Sequence, residues 1–175
     1  GLMLAFDMGG PINKVAYAFM LICVAQGVYT VVAIAAVGIC VPPLGLGLAT
    51  LIGRKNFSSE EREAGKAALV MGCVGVTEGA IPFAAADPLR VIPSIMVGSA
   101  CGTVTAALFG AQCYAGWGGL IVLPVVEGKL GYIAAVAVGA VVTAVCVNVL
   151  KSLARKKVSQ VDQKEDDLDL DFEMN

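Results

Sequence analysis

Histidine is absent from the 175 residues. That excludes imidazole general bases, phosphohistidine chemistry and imidazole metal ligands within this chain. Charge is scarce too. Charged residues make up 15% of the chain, against about 25% in a typical soluble domain. The six cysteines stand singly in apolar stretches and form no CxxC pair, so neither a zinc site nor a redox pair is indicated. They read as buried free thiols serving as small apolar residues. No GxxxxGK[ST] run occurs and no strand leads into GxGxxG, so a nucleotide-driven pump is not encoded. There is no nucleophile–base constellation, and hence no catalytic residue, cofactor or metal site to expect. No basic surface points to nucleic acid.

What is abundant is apolar. The hydrophobic fraction is 58% and the mean hydropathy +0.82. Glycine (21 residues) and alanine are plentiful, as suits helices packed closely in lipid. The fold class expected is all-α integral membrane. The chain opens on Gly1 inside an apolar stretch with no charged leader, so it reads as the C-terminal piece of a longer membrane protein.

The few charges divide the chain. Residues 15–53 are uncharged, and one span needs about 20 apolar residues. A helix is expected from about 28 to 52, with a kink where Pro42 and Pro43 remove backbone donors. Whether 15–26 is a separate span stays open. A polar loop follows at 54–63. In it Ser58 and Glu61 read as a capping box, starting a helix near Ser59. Spans are expected at 95–111 and 130–150, with an irregular stretch at 114–119.

Lys151, Arg155, Lys156 and Lys157 follow the last span directly. Basic flanks stay in the cytoplasm, which places the C-terminus there, together with the basic 54–66 loop. Two crossings between those points return the chain to one side. Parity then makes residues 67–93, broken by Glu78, three prolines, Asp87 and Arg90, a re-entrant hairpin. An ordinary aqueous loop is the alternative. Residues 1–150 form the membrane part. The remainder, 151–175, reads as a cytoplasmic tail, acidic and disordered over 161–175.

Ionisable groups at membrane depth are expensive and usually face a cavity or a partner. Glu78 is the foremost case. A carboxylate can accept hydrogen bonds from several sugar hydroxyls, or it can merely hold a hairpin together. Asp87 and Arg90, three apart, can pair with each other. Asp7, Asn13 and Lys14 flank Gly9-Gly10-Pro11, a second polar break in an apolar setting. Two such breaks among spans are how many transporters build substrate sites.

Several strings resemble the fructose family of the membrane C component (enzyme II) of the bacterial phosphotransferase system. They are AFDMGGPINKVAYAF at 5–19, Pro42-Pro43-Leu44-Gly45, EEREAGKAAL at 60–69, TEGAIPFAAADPLRVIPSIMV at 77–97 and GGLIVLP from Gly118. The resemblance covers about residues 2–151. It implies a multi-span helical transporter with re-entrant hairpins, of which this is the C-terminal, transport-domain portion. It implies sugar import, mainly of fructose, across the bacterial cytoplasmic membrane. Import is coupled to phosphorylation by a B unit carrying phosphocysteine and an A unit carrying phosphohistidine. The full-length C unit would be a homodimer in the lipid bilayer, a permease subunit without a phosphoryl-transfer residue of its own. Glu78 matches the family's sugar-binding glutamate. Its neighbour Thr77, and Asp7, Asn13, Lys14, Asp87 and Arg90 within the signatures, become further substrate-binding candidates. One departure is plain: the family's Pro-His-Gly-Gly reads Gly116-Trp117-Gly118-Gly119 here. That implies a different substrate, a decayed paralogue or a dispensable histidine. An ion-coupled sugar transporter and a truncated, non-transporting remnant are the competing readings.

Overall fold

A computed structural model describes residues 1–155 with their side chains. Two short helices, α1 (Leu2–Phe6) and α2 (Pro11–Ala25), precede α3 (Tyr29–Ile52). Then come α4 (Ser59–Val74), a 3-10 turn (Thr77–Ala80), α5 (Ile81–Ala86) and α6 (Pro88–Leu108). A two-stranded ribbon, β1 (Gln112–Cys113) and β2 (Val126–Glu127), brackets a second 3-10 segment (Leu120–Val125). Gln112 pairs with Glu127 and Cys113 with Val126, antiparallel. The last helix, α7 (Lys129–Glu173), is followed to Arg155. The acidic, disordered tail expected at 161–175 lies outside the described residues.

Among the described residues three helices are long and apolar enough to cross a membrane: α3, α6 and α7 over Lys129–Arg155. Their packing rests on small residues. A Cβ added to Gly98 of α6 would stand 2.7 Å from the Gly139 carbonyl of α7, so the two backbones all but touch. The middle of α3 is sheathed by its neighbours, whereas α6 and α7 turn apolar side chains such as Val97, Val104, Val141 and Val145 outward. Exposed apolar faces on helices whose backbones are satisfied internally suit a hydrocarbon surround. The protein is an all-α integral membrane protein. At 15 residues α2 is about 22 Å long, short of the ~30 Å hydrocarbon core, so the segment left open over 15–26 is not a full span.

The proline pair leaves α3 unbroken from Tyr29 to Ile52. Without N–H groups at 42 and 43, the Gly38 and Ile39 carbonyls lose their helical donors. Hydroxyls from elsewhere supply them. Ser99 of α6 donates to the Gly38 carbonyl and Thr77 to the Ile39 carbonyl, each at 3.2 Å.

Residues 58–87 form a hairpin. The capping box is realised: the Ser58 hydroxyl accepts from the Glu61 amide (3.1 Å), and the Ser58 amide donates to the Glu61 carboxylate (2.9 Å). Gly75, at φ +89°, ends α4 in the left-handed conformation that glycine adopts without penalty. The chain then returns through α5, bringing Phe83 edge-on to Phe57 at 6.3 Å. Asp87 and Arg90 line one hollow with Asn56, Glu61, Lys151 and Arg155, so the hairpin ends where it began. The spans flanking it agree. At the far end the Tyr114 ring packs at a tilt against Tyr29 (centroids 4.4 Å apart), and α7 comes back to pair Lys151 with Glu61. Residues 1–28 make a second, inverted hairpin. Its α2 arm ends beside the start of α3, and its tip at 7–10 faces the tip at 75–78.

Candidate functional site between two hairpin tips

The two tips enclose a cavity of about 180 Å3. Gly9, Asn13, Lys14 and Tyr17 come from one hairpin, and Gly75, Thr77 and Glu78 from the other. Ile39 of α3, Trp117 and Gly118 complete the wall.

The first tip is built by Asp7. Its carboxylate accepts from the amides of Ile12 (2.7 Å) and Asn13 (2.9 Å), capping α2 from upstream. The Asn13 side-chain Nδ2 donates to the Leu4 carbonyl (2.6 Å), tying α2 back to α1 across the break. Between them Met8 (φ 49°) and Gly9 (φ 106°) make the turn, and a Cβ on Gly9 would stand 2.6 Å from Oε1 of Glu78. The second tip is supported by the 116–119 loop. A Cβ on Gly119 (φ 91°) would come within 2.5 Å of the Gly75 amide nitrogen, so only glycine allows this backbone approach. The Trp117 indole donates to the Val74 carbonyl (2.7 Å), and its ring meets Tyr17 edge-on at 6.2 Å. Tyr17 in turn donates to the Gly116 carbonyl (2.8 Å).

Of the seven residues singled out in the sequence, four line the cavity: Asn13, Lys14, Thr77 and Glu78. Asp7 stands behind it as the helix cap. Asp87 and Arg90 lie at the base of the hairpin, joined to each other at 2.8 Å. Glu78 and Lys14 are both exposed to the cavity, and neither forms an ion pair among the described residues. Tyr17, Ile39 and the three glycines were not anticipated. Tyr17 follows Asn13 and Lys14 at helical spacing, which was the available signal. Ile39 carried none.

The lining offers a carboxylate that only accepts, an ammonium that only donates and a carboxamide. An apolar and aromatic wall stands beside them. Together they can accept and donate hydrogen bonds beside apolar surface, as small-molecule sites commonly do. None of the six cysteines lines it, and among the described residues no cluster of His, Cys, Asp or Glu could hold a metal.

The chain is 92% identical over all 175 residues to a protein of Escherichia coli K12 named fructose-like permease IIC component 2, of which it covers 49%. It is 49% identical over 154 residues to a PTS system fructose-specific EIIB'BC component of Xanthomonas campestris. That alignment takes in 86% of the chain and 27% of the relative. It is 41% identical over 151 residues to a PTS system fructose-specific EIIC component of Haloferax volcanii, covering 86% of the chain and 40% of the relative. The chain thus spans about half the length of the first relative and less of the others. No family model and no solved structure matches it. Identity at this level along its whole length shows that the chain belongs to the fructose family of phosphotransferase-system permease C components.

Proposed function

We propose that the cavity between the two tips is the sugar site of a permease that imports its substrate while partner units phosphorylate it. Fructose is the first sugar to test, since the relatives' names specify it. The observation that carries this reading is the position of Glu78. It is a carboxylate at the break of a helical hairpin, opening on a cavity shared with Asn13 and Lys14. Glu78 accepts hydrogen bonds from sugar hydroxyls, Lys14 and Asn13 contact others, and the Trp117 and Tyr17 rings bound the apolar side. The hairpins 1–28 and 58–87 are re-entrant and move together as the transport domain.

Phosphoryl transfer is supplied from outside the chain. Relatives named EIIB'BC and EIIABC carry B and A components in one polypeptide, which supports B and A units as partners. The B unit docks at the end bearing Arg54, Lys55, Arg62 and Arg155. That end, and the C-terminus with it, lies in the cytoplasm, the membrane being the bacterial cytoplasmic one. The rest of the full-length C unit adds further spans and the homodimer contact.

The test is Glu78→Gln in the full-length permease with its partners present. A carboxylate–hydroxyl hydrogen bond contributes about 1.5–3 kcal/mol, so KM for fructose rises roughly 10- to 100-fold while membrane insertion persists. Normal uptake by the variant overturns the site. Uptake that persists without B and A units, delivering unphosphorylated sugar, overturns the coupling and favours an ion-coupled carrier.

A further inference from the structure

Pro42 and Pro43 free two carbonyls on α3, and the two hydroxyls that take them have different neighbours. Ser99, donating to Gly38, sits within α6 and has no link to the cavity. Thr77, donating to Ile39, is the residue immediately before Glu78 and is 4% exposed. The residue immediately after Glu78 touches the same turn of α3. A Cβ on Gly79 would stand 3.1 Å from Cβ of Pro43. Glu78 is therefore straddled. One flank is bonded to the carbonyl that Pro43 leaves open, and the other packs on the Pro43 ring.

Freed carbonyls in membrane helices are commonly re-satisfied by Ser or Thr. The Ser99 contact is accounted for by that alone. The Thr77 contact does more, because the residue that follows it in the chain carries the carboxylate of the cavity, whereas Ser99 does not line the cavity. We propose that Thr77 is a positioning residue for the sugar site, and that Pro43 is the other half of the latch. By withholding an N–H, Pro43 keeps the Ile39 carbonyl available, so the tip docks on α3 with Glu78 turned into the cavity. The Thr77 hydroxyl proton is spent on Ile39, and the hydroxyl acts on sugar only through Glu78. The effect on sugar rests on the reading proposed above. The latch itself is a property of the tip.

The experiment uses the full-length permease with its partner units, reading fructose uptake per membrane-inserted protein and hydrogen exchange of the 75–80 amides. Thr77→Val keeps the side-chain shape and removes the donor. KM rises about tenfold, the equivalent of one hydrogen bond, with the maximal rate changed less than KM. Thr77→Ser keeps the donor and stays within about twofold of the parent. Pro43→Ala returns a helical donor to Ile39 and removes the ring under Gly79, so it raises KM in the same direction although Pro43 does not line the cavity. The two changes break one latch, so the double variant is no worse than the poorer single one. Ser99→Ala leaves KM unchanged. Multiplying effects in the double variant would assign Thr77 to direct sugar contact and overturn the latch, as would an equal KM shift in Ser99→Ala. Hydrogen exchange decides independently of transport. The tip amides exchange faster in Thr77→Val and Pro43→Ala but not in Glu78→Gln, and unchanged exchange in the first two overturns the proposal. If Glu78→Gln transports normally, the sugar-site reading falls and the exchange result still settles the latch.

Discussion

Gly9 and Glu78 meet across the cavity: a methyl on Gly9 would stand 2.6 Å from Oε1 of the carboxylate. Nothing larger than hydrogen fits at Gly9 while Glu78 keeps its place. The approach joins residues 69 positions apart, one from each hairpin tip, so a side chain at one tip would displace the carboxylate of the other.

Gly9→Ala therefore acts on the site twice. Its φ of 106° is a region that side-chain-bearing residues avoid, at about 1–3 kcal/mol, and the new methyl displaces the carboxylate. Fructose uptake per inserted protein falls at least about tenfold, the equivalent of ~1.4 kcal/mol. Uptake assays paired with membrane immunoblots check it. Parent-level uptake would mean that the tips are free to part.

The polar candidates separate in the same assay. Lys14→Gln removes the cavity's cation and raises KM, because no carboxylate among the described residues shares its charge. Asp87→Asn and Arg90→Gln break an ion pair whose arginine is 42% exposed, worth about 0–1 kcal/mol. Their KM values stay near the parent's, and the Asp87→Asn/Arg90→Gln double variant matches either single one. A KM rise in Asp87→Asn as large as in Glu78→Gln would move the sugar site to the hairpin's base.

How much of this was legible beforehand follows from the kind of signal each element carries. Capping boxes, uncharged runs and basic flanks are local, and they mark α3, the start of α4 and the start of α7 to within a few residues, whereas α6 starts earlier, at Pro88. The return of 58–87 to its own end was legible through parity, because charge sidedness is a global count that needs no contacts. Glu78 stood out because a carboxylate amid apolar residues is costly. A carboxylate beside Gly-Gly-Pro resembles a cavity residue, which makes Asp7 a candidate in the sequence. Only the fold shows its oxygens turned back onto two amides. Asp87 and Arg90 shared the signature string with Glu78, yet string membership does not tell the tip of a hairpin from its base. The roles of Ile39 and Gly118 arise from contacts between distant segments and had no local sign.

Trp117 stands where the resemblance expects histidine, and the structure gives the indole a structural task. Trp117→Phe keeps the ring against Tyr17 and leaves the Val74 carbonyl without that donor. The loss is about 0.5–1.5 kcal/mol, a few degrees in Tm in detergent. KM for fructose changes less than in Glu78→Gln. A KM effect as large as that of Glu78→Gln, with Tm unchanged, would instead place the indole on the sugar.

The mostly buried Lys151–Glu61 pair at the base of the molecule answers to stability and leaves the KM for sugar unmoved. Lys151 pairs with Glu61, lies 4.2 Å from the Phe57 ring centroid, and is 9% exposed in its side chain. Lys151→Met removes the ammonium and strands a mostly buried carboxylate, which costs about 3–5 kcal/mol in the fully buried limit and less here, where Glu61 keeps 12% of its exposure. Glu61 also accepts from the Ser58 amide, so the cap of α4 holds part of that charge in place. Thermal unfolding in detergent drops by several degrees, while KM of the surviving protein stays at the parent value, because the pair lies at the opposite end of the hairpin from Glu78. Glu61→Gln together with Lys151→Met recovers part of the loss, since no charge is then left unpaired. A shift in KM without a shift in Tm would show that this end communicates with the cavity between the tips.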